Sequence, residues 1–256
     1  MKLNVPFVRS QFPAFSEPTL KGWAFFENAG GSYPCEQFID RLTDFYRKNK
    51  VQPYYPYPAS QRAGELMDSS YERMAAYLNV TASEIHYGPS TTLNVYVLAN
   101  AMRPMWKDGD EIVVSCQDHE ANAGAWRKLA TRGIKIIEWP VDPQTGVLDV
   151  QDLKGLISNK TKMLAFPHCS NVIGHINPVK EISEIAHQHG ALCVVDGVAY
   201  APHALPDLKN LGADIYLFSL YKTYGPHLGL MYVDKALIGQ LENQSHFLKK
   251  ASPEIC

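Results

Sequence analysis

Short, nearly continuous apolar runs recur along the chain: EIHYG (84–88), EIVVS (111–115), IKIIEW (134–139), KMLAFP (162–167), ALCVVD (191–196), DIYLFS (214–219) and GLMYVD (229–234). Their length predicts strands, and their weak alternation predicts strands covered on both faces. The segments between them have helical spacing instead: TTLNVYVLANAM, EANAGAWRKLATR, VQDLKGLIS and PVKEISEIAHQHG, with ALIGQLENQ after the last run. Upstream, Met67, Tyr71, Met74 and Leu78 share one helical face within RAGELMDSSYERMAAYLN, a face suited to core packing. The alternation predicts an α/β fold, a three-layer sandwich around a mostly parallel mixed sheet. Residues 1–60 break the pattern. They are rich in Pro and Tyr and end in VQPYYPYPAS, so they read as an N-terminal arm and loop, mostly extended. Residues 61–240 then form the large domain.

Composition narrows the partners. The 256 residues are 46% hydrophobic, enough to bury a large core. A net charge of −2 favours neither nucleic acid nor an anionic membrane. No apolar run is long enough to span a bilayer, and MKLNVPFVRSQFPAF lacks the apolar stretch of a signal peptide. The five cysteines, Cys35, Cys116, Cys169, Cys193 and Cys256, are scattered and odd in number, which predicts a reduced, cytoplasmic protein.

In such sheets ligands bind at the carboxyl ends of the strands. Ser90, Thr91 and Thr92 open a helix there, where hydroxyls and free amides suit a phosphate. His119 follows EIVVS, Asn171 follows KMLAFP, and Asp196 ends ALCVVD. Ser219 and Lys222 end DIYLFS, in FSLYKTYGPH. Each has an ordinary structural explanation when taken alone: an N-cap, a turn, a satisfied core histidine, a lysine whose stem packs while its head reaches water. Together they are what a pyridoxal phosphate site requires: a nucleophilic amine, a carboxylate for the pyridinium nitrogen, a stacking ring and a phosphate cup. Two other readings are weaker. A dinucleotide site would need G-x-G-x-x-G after the first strand, which is absent. A metal site drawn from His168, Cys169, His187 and His189 fails because His187 and His189, two apart on a helix, diverge.

The same motifs carry a family resemblance. FFENAGGS (25–32), SCQDHEAN (115–122), HCSNVIG (168–174), VVDGVAYAPH (194–203) and FSLYKTYGP (218–226) resemble segments of class V of the fold-type I pyridoxal phosphate enzymes, a group that includes cysteine desulfurases. The resemblance spans about residues 25 to 240. It implies a pyridoxal 5'-phosphate-dependent enzyme, aminotransferase class V and cysteine desulfurase-like, acting on a small amino acid as a homodimer. Lys222 would be the Schiff-base lysine, Asp196 the pyridinium partner and His119 the stacking ring. Ser90, Thr91, Thr92 and Ser219 would hold the phosphate, Asn171 would contact ring or substrate, and Asn28 the substrate. Tyr221, Leu220 and Ala199 stand where the family usually has His, a small residue and Gln. The resemblance also implies a C-terminal small domain, of which 241–256 would be only the first linker. The alternative is a truncated or decayed homologue that keeps the fold and binds the coenzyme without turnover.

Overall fold

The structure, a computed structural model, describes residues 3–244. Cys256, and most of the expected linker 241–256, lie outside the described residues.

The N-terminal part holds helices α1 (Val5–Ser10), α2 (Glu36–Lys48) and α3 (Pro58–Leu78). From there strands and helices alternate: β1 (Ile85–Gly88), α4 (Thr91–Met102), β2 (Glu111–Ser115), α5 (Glu120–Lys128), β3 (Lys135–Trp139), α6 (Leu153–Leu156) and β4 (Thr161–Pro167). They continue with α7 (Val179–Gln188), β5 (Leu192–Asp196), α8 (Leu208–Leu211), β6 (Ile215–Ser219), β7 (Gly229–Val233) and α9 (Lys235–Ile238).

Helix α2 corrects the reading of residues 1–60 as mostly extended. The prolines of this region lie on either side of it, none within it. Phe38, Ile39, Leu42 and Phe45 repeat at helical spacing, a pattern masked by the proline-rich flanks. Helix α3 starts where Pro58 fixes the first turn and stops at Asn79, which adopts the left-handed conformation (φ 58°) of a helix C-cap.

The strands form one seven-stranded sheet in the order β1-β7-β6-β5-β4-β2-β3. Neighbours from β3 across to β6 pair parallel, and β7 runs antiparallel to both β6 and β1. Successive residues of each strand feed opposite faces. Val113, Leu164, Phe166, Val195, Tyr216 and Phe218 pack with α3, α6, α7 and α8. Ile112, Val114, Met163, Val194, Leu217 and Met231 pack with α4, α5 and α9. The three-layer sandwich is therefore present, and double-sided burial explains why its strands read as continuous apolar runs. Among the described residues no helix is long and apolar enough to cross a membrane.

This topology brings the carboxyl ends of β1, β2, β4, β5 and β6 to one rim. The reversed strand β7 adds its first residue, Gly229, which pairs with both Gly88 and Ser219.

Candidate active site

A cleft at that rim is lined by Thr91, Thr92, Asp118, His119, Asn171, Asp196, Ser219 and Lys222, with Cys169, Val198, Ala199 and Tyr221 among its other walls. Seven of the nine residues singled out in the sequence therefore meet. Ser90 and Asn28 do not line it.

The residues expected to form a phosphate cup gather at the start of α4. Ser90 is the N-cap, its hydroxyl accepting from Leu93 N at 3.1 Å, so that side chain is already engaged. Thr91 Oγ1 and Ser219 Oγ lie 2.7 Å apart and join the helix start to the end of β6. Gly229 makes the approach possible. A Cβ there would collide with the backbone of Ser90 and Thr91. Its pair across the sheet, Gly88, has no more room: a Cβ would meet the Asn94 side chain. The close packing leaves the first amides of α4 and two hydroxyls at the cleft, the donor set that suits a phosphate.

Asp196 is buried at the end of β5, 5% exposed. One carboxylate oxygen accepts from Val198 N at 2.8 Å, and the other has no hydrogen bond among the described residues. Burial raises its pKa, against the opposing pull of the Val198 amide, His119 and Lys222. A buried carboxylate with a spare oxygen calls for a cationic donor, and a protonated ring nitrogen is one. Asp118 adds a second carboxyl. Its oxygens accept from His119 N (2.9 Å) and Asn122 Nδ2 (2.6 Å). Burial, then the nearby Asp196 charge, raise its pKa well above the ordinary carboxylate value.

His119 caps α5, its Nδ1 accepting from Ala121 N at 3.0 Å. In a neutral ring the proton then sits on Nε2, and the ring's orientation is set by the helix it caps. Lys222 is half-buried with no hydrogen bond or ion pair among the described residues; its ammonium nitrogen lies 5.8 Å from the Tyr221 ring centroid. Asn171 is exposed in a loop shaped by Ser170, whose hydroxyl accepts from Val172 N and Ile173 N, and by Gly174 at φ 70°. Asn28 is exposed on the arm. Its neighbour Ser32 reaches the lysine turn, with Ser32 N 3.1 Å from Tyr221 O.

Several supporting residues escaped the sequence reading. Asn177 Nδ2 donates to Gln117 Oε1 (2.7 Å) and Pro167 O (2.8 Å), and Gln117 Nε2 donates to Gly146 O (2.7 Å). That buried chain ties three rim loops together. Behind Asp196, His168 Nδ1 lies 2.8 Å from the Tyr216 hydroxyl, and its ring stacks on Tyr200 at 3.6 Å. Burial lowers the His168 pKa to about 4, so it is neutral near pH 7. His187, once weighed as a metal ligand, pairs with Asp214 at 2.9 Å at the opposite end of the sheet's helices. Cys169 lines the cleft, but burial raises its thiol pKa, away from thiolate reactivity.

The residues present fit pyridoxal phosphate: an unpaired amine, a buried carboxylate with a spare oxygen, an oriented imidazole and a glycine-cleared anion cup. The comparisons agree. Residues 24–249 match the family model described as aminotransferase class-V. The aminotransferase-like protein FGM3 of Gibberella zeae is 40% identical over 247 residues, 94% of this chain and 60% of its own length. The cysteine desulfurase-like protein ustD of Aspergillus flavus is 35% identical, with 98% of this chain and 58% of its own length covered. An apo cysteine desulfurase from Thermococcus onnurineus superposes with a TM-score of 0.88 at 27% identity, over 96% of this chain and 60% of that one. The chain thus spans about 60% of the length of the curated relatives it matches. It belongs to the class-V aminotransferase family of pyridoxal phosphate-dependent enzymes, together with the cysteine desulfurases.

Proposed function

We propose that this chain is the coenzyme-binding part of an enzyme that acts on a small amino acid, with Lys222 as the covalent anchor and proton carrier. When bound, pyridoxal phosphate supplies an electron sink for bonds at the substrate Cα. The protein's residues do the rest. Asp196 would hold a proton on the ring nitrogen and so keep the sink deep. The imidazole of His119 would stack on the coenzyme. Thr91, Thr92 and Ser219, with the amides after Ser90, would take the phosphate. Asn171 would contact the coenzyme's ring oxygen, and Asn28, on the arm, is assigned to the substrate. The Lys222 amine would take and return the substrate Cα proton as general base and acid.

One observation carries this reading: an amine with no ion pair among the described residues shares a cleft with a buried carboxylate that has an oxygen to spare. The amine has no close partner to displace among the described residues, and the carboxylate keeps an oxygen for a cationic donor. The test is direct. Purified chain mixed with pyridoxal phosphate should turn yellow, and borohydride should fix the coenzyme on the Lys222 peptide. Lys222→Ala should abolish the label. A chain that stays colourless and unlabelled refutes the proposal. An amino-acid panel scored for sulfide, keto acid and racemised product then names the reaction. Capture with no turnover of any amino acid would leave coenzyme binding as the chain's own activity, in keeping with its span of about 60% of the relatives' length.

We also propose a homodimer. Trp23 and Phe26, which precede the segment docked on the lysine turn, are 83% and 90% exposed and need a cover.

A further inference from the structure

The turn that carries Lys222 cannot satisfy its own backbone. Leu220 O accepts from Thr223 N and Gly225 N, and Leu220 N donates to Leu228 O. The carbonyl of Tyr221 and the amide of Tyr224, on either side of Lys222 and Thr223, have no partner within the turn. Both are met by one residue far away in sequence. Ser32 donates its amide (3.1 Å) and its hydroxyl (3.0 Å) to Tyr221 O. The same Ser32 hydroxyl oxygen accepts from Tyr224 N at 2.9 Å.

That second bond falls on a strained residue. Tyr224 has φ 65°, the left-handed region that a side chain with a Cβ resists. Its ring is also held, edge-on to Phe12 at 5.4 Å. The Tyr221 ring stacks on His227 at 4.5 Å and 5°, and its edge approaches Gly31, where a Cβ would lie 3.6 Å away. Residues 12, 31 and 32 therefore grip both sides of the lysine. Strain held in place by contacts from elsewhere is a mark of a functional position.

We infer that Ser32 is the positioning residue of the lysine turn: its hydroxyl, bridging Tyr221 O and Tyr224 N, holds Lys222 in the cleft, so that docking of residues 31–32 and coenzyme capture favour each other. The inference rests on Lys222 being the coenzyme anchor. The coupling is reciprocal because both events select the same turn conformation. If the turn leaves that conformation, apparent affinity falls by the fraction of competent molecules.

The experiment uses the full 256-residue chain. Pyridoxal phosphate is titrated by visible absorbance and fixed with borohydride, while hydrogen exchange is followed at the 220–226 segment. Ser32→Ala loses two hydrogen bonds but keeps the amide contact, so affinity should fall about tenfold with Lys222 still the labelled residue. Exchange at Tyr224 N should rise, and bound coenzyme should slow it again. Ser32→Thr keeps the hydroxyl and should restore affinity to within about twofold. In a Tyr224→Gly background, where φ 65° costs nothing, Ser32→Ala should cost clearly less than in wild type. A purely structural role would lower the melting temperature without this pattern. Wild-type affinity and unchanged exchange in Ser32→Ala, or a loss that Ser32→Thr leaves unrestored, overturns the clamp. A wild-type chain that borohydride does not label at Lys222 overturns the site reading and the coupling with it, and the exchange at Tyr224 still separates that failure from a failure of the clamp.

Discussion

Asp196 is a carboxylate that burial disfavours and a bound cation would favour. Its folded pKa is raised, with burial as the main cause. The stability it contributes is therefore fully present below the unfolded value, about 3.9, and is lost as pH rises through the folded pKa. Neutral pH is thus the costly condition for the coenzyme-free chain. Asp196→Asn removes the buried charge and also relieves Asp118, whose raised pKa owes part of its shift to Asp196. The coenzyme-free variant should melt above wild type at pH 7, and the gap should close as pH approaches 4. Coenzyme affinity should fall about ten- to a hundredfold, the worth of a hydrogen bond to a charged group. Melts from pH 4 to 8, with and without pyridoxal phosphate, check both. His168 has the opposite sense: its pKa is depressed to about 4, so its share of stability is present above about 6.5 and lost as pH falls toward 4. It is the same in both proteins and cancels in the difference. An Asp196→Asn chain no more stable than wild type at pH 7 would remove burial strain as the reason for the shift.

At the scale of elements, the anion cup depends on a helix meeting a strand pair. Gly229 leads β7 beside Ser219, and a Cβ would strike the backbone at Ser90 and Thr91. Gly229→Ala must push the start of α4 outward, at a cost of about 1–3 kcal/mol in stability. In the proposed site these amides would face the phosphate, so affinity for pyridoxal phosphate should fall further than affinity for pyridoxal, read by paired absorbance titrations. Equal losses for the two ligands would show that the cup does not bind phosphate. How much was legible in the sequence follows from the same elements. The strands β2, β4, β5 and β6 announced themselves because burial on two faces leaves few polar positions except near their ends, and a strand end is where ligand-facing residues are expected. Thr91, His119, Asp196, Ser219 and Lys222 were readable for that reason. Gly229 was not, because its role depends on a helix that lies 138 residues earlier (229 − 91). Ser32 and the Gln117–Asn177 bond were hidden likewise, since their partners lie 189 and 60 residues away. Helix α2 was lost to its proline-rich flanks, although its apolar spacing was present throughout.

At the scale of the whole molecule, apolar surface is concentrated in the N-terminal part. Helix α2 buries none of its residues, and Leu42 and Tyr46 stand 42% and 62% exposed. Trp23 and Phe26 extend the same character toward the lysine turn. Globular monomers rarely leave large apolar side chains clustered in one part of the chain without a cover. Ser32 docks this N-terminal segment onto Tyr221 and Tyr224, on either side of Lys222, so under the proposed clamp a cover that holds the segment would also hold the lysine turn. A second copy is the proposed cover. Light scattering should then give a mass twice 28.7 kDa at micromolar concentration. Burying a large aromatic side chain is worth about 1.5–3 kcal/mol, so Trp23→Ala should weaken dimerisation at least about tenfold. Coenzyme affinity should drop with it as the protein is diluted through the dimer dissociation constant, and the Trp23 fluorescence of wild type should shift to the red over the same range. A wild-type chain that is monomeric at tens of micromolar, yet captures coenzyme with concentration-independent affinity, would remove the second copy and leave this face for a segment of a longer chain.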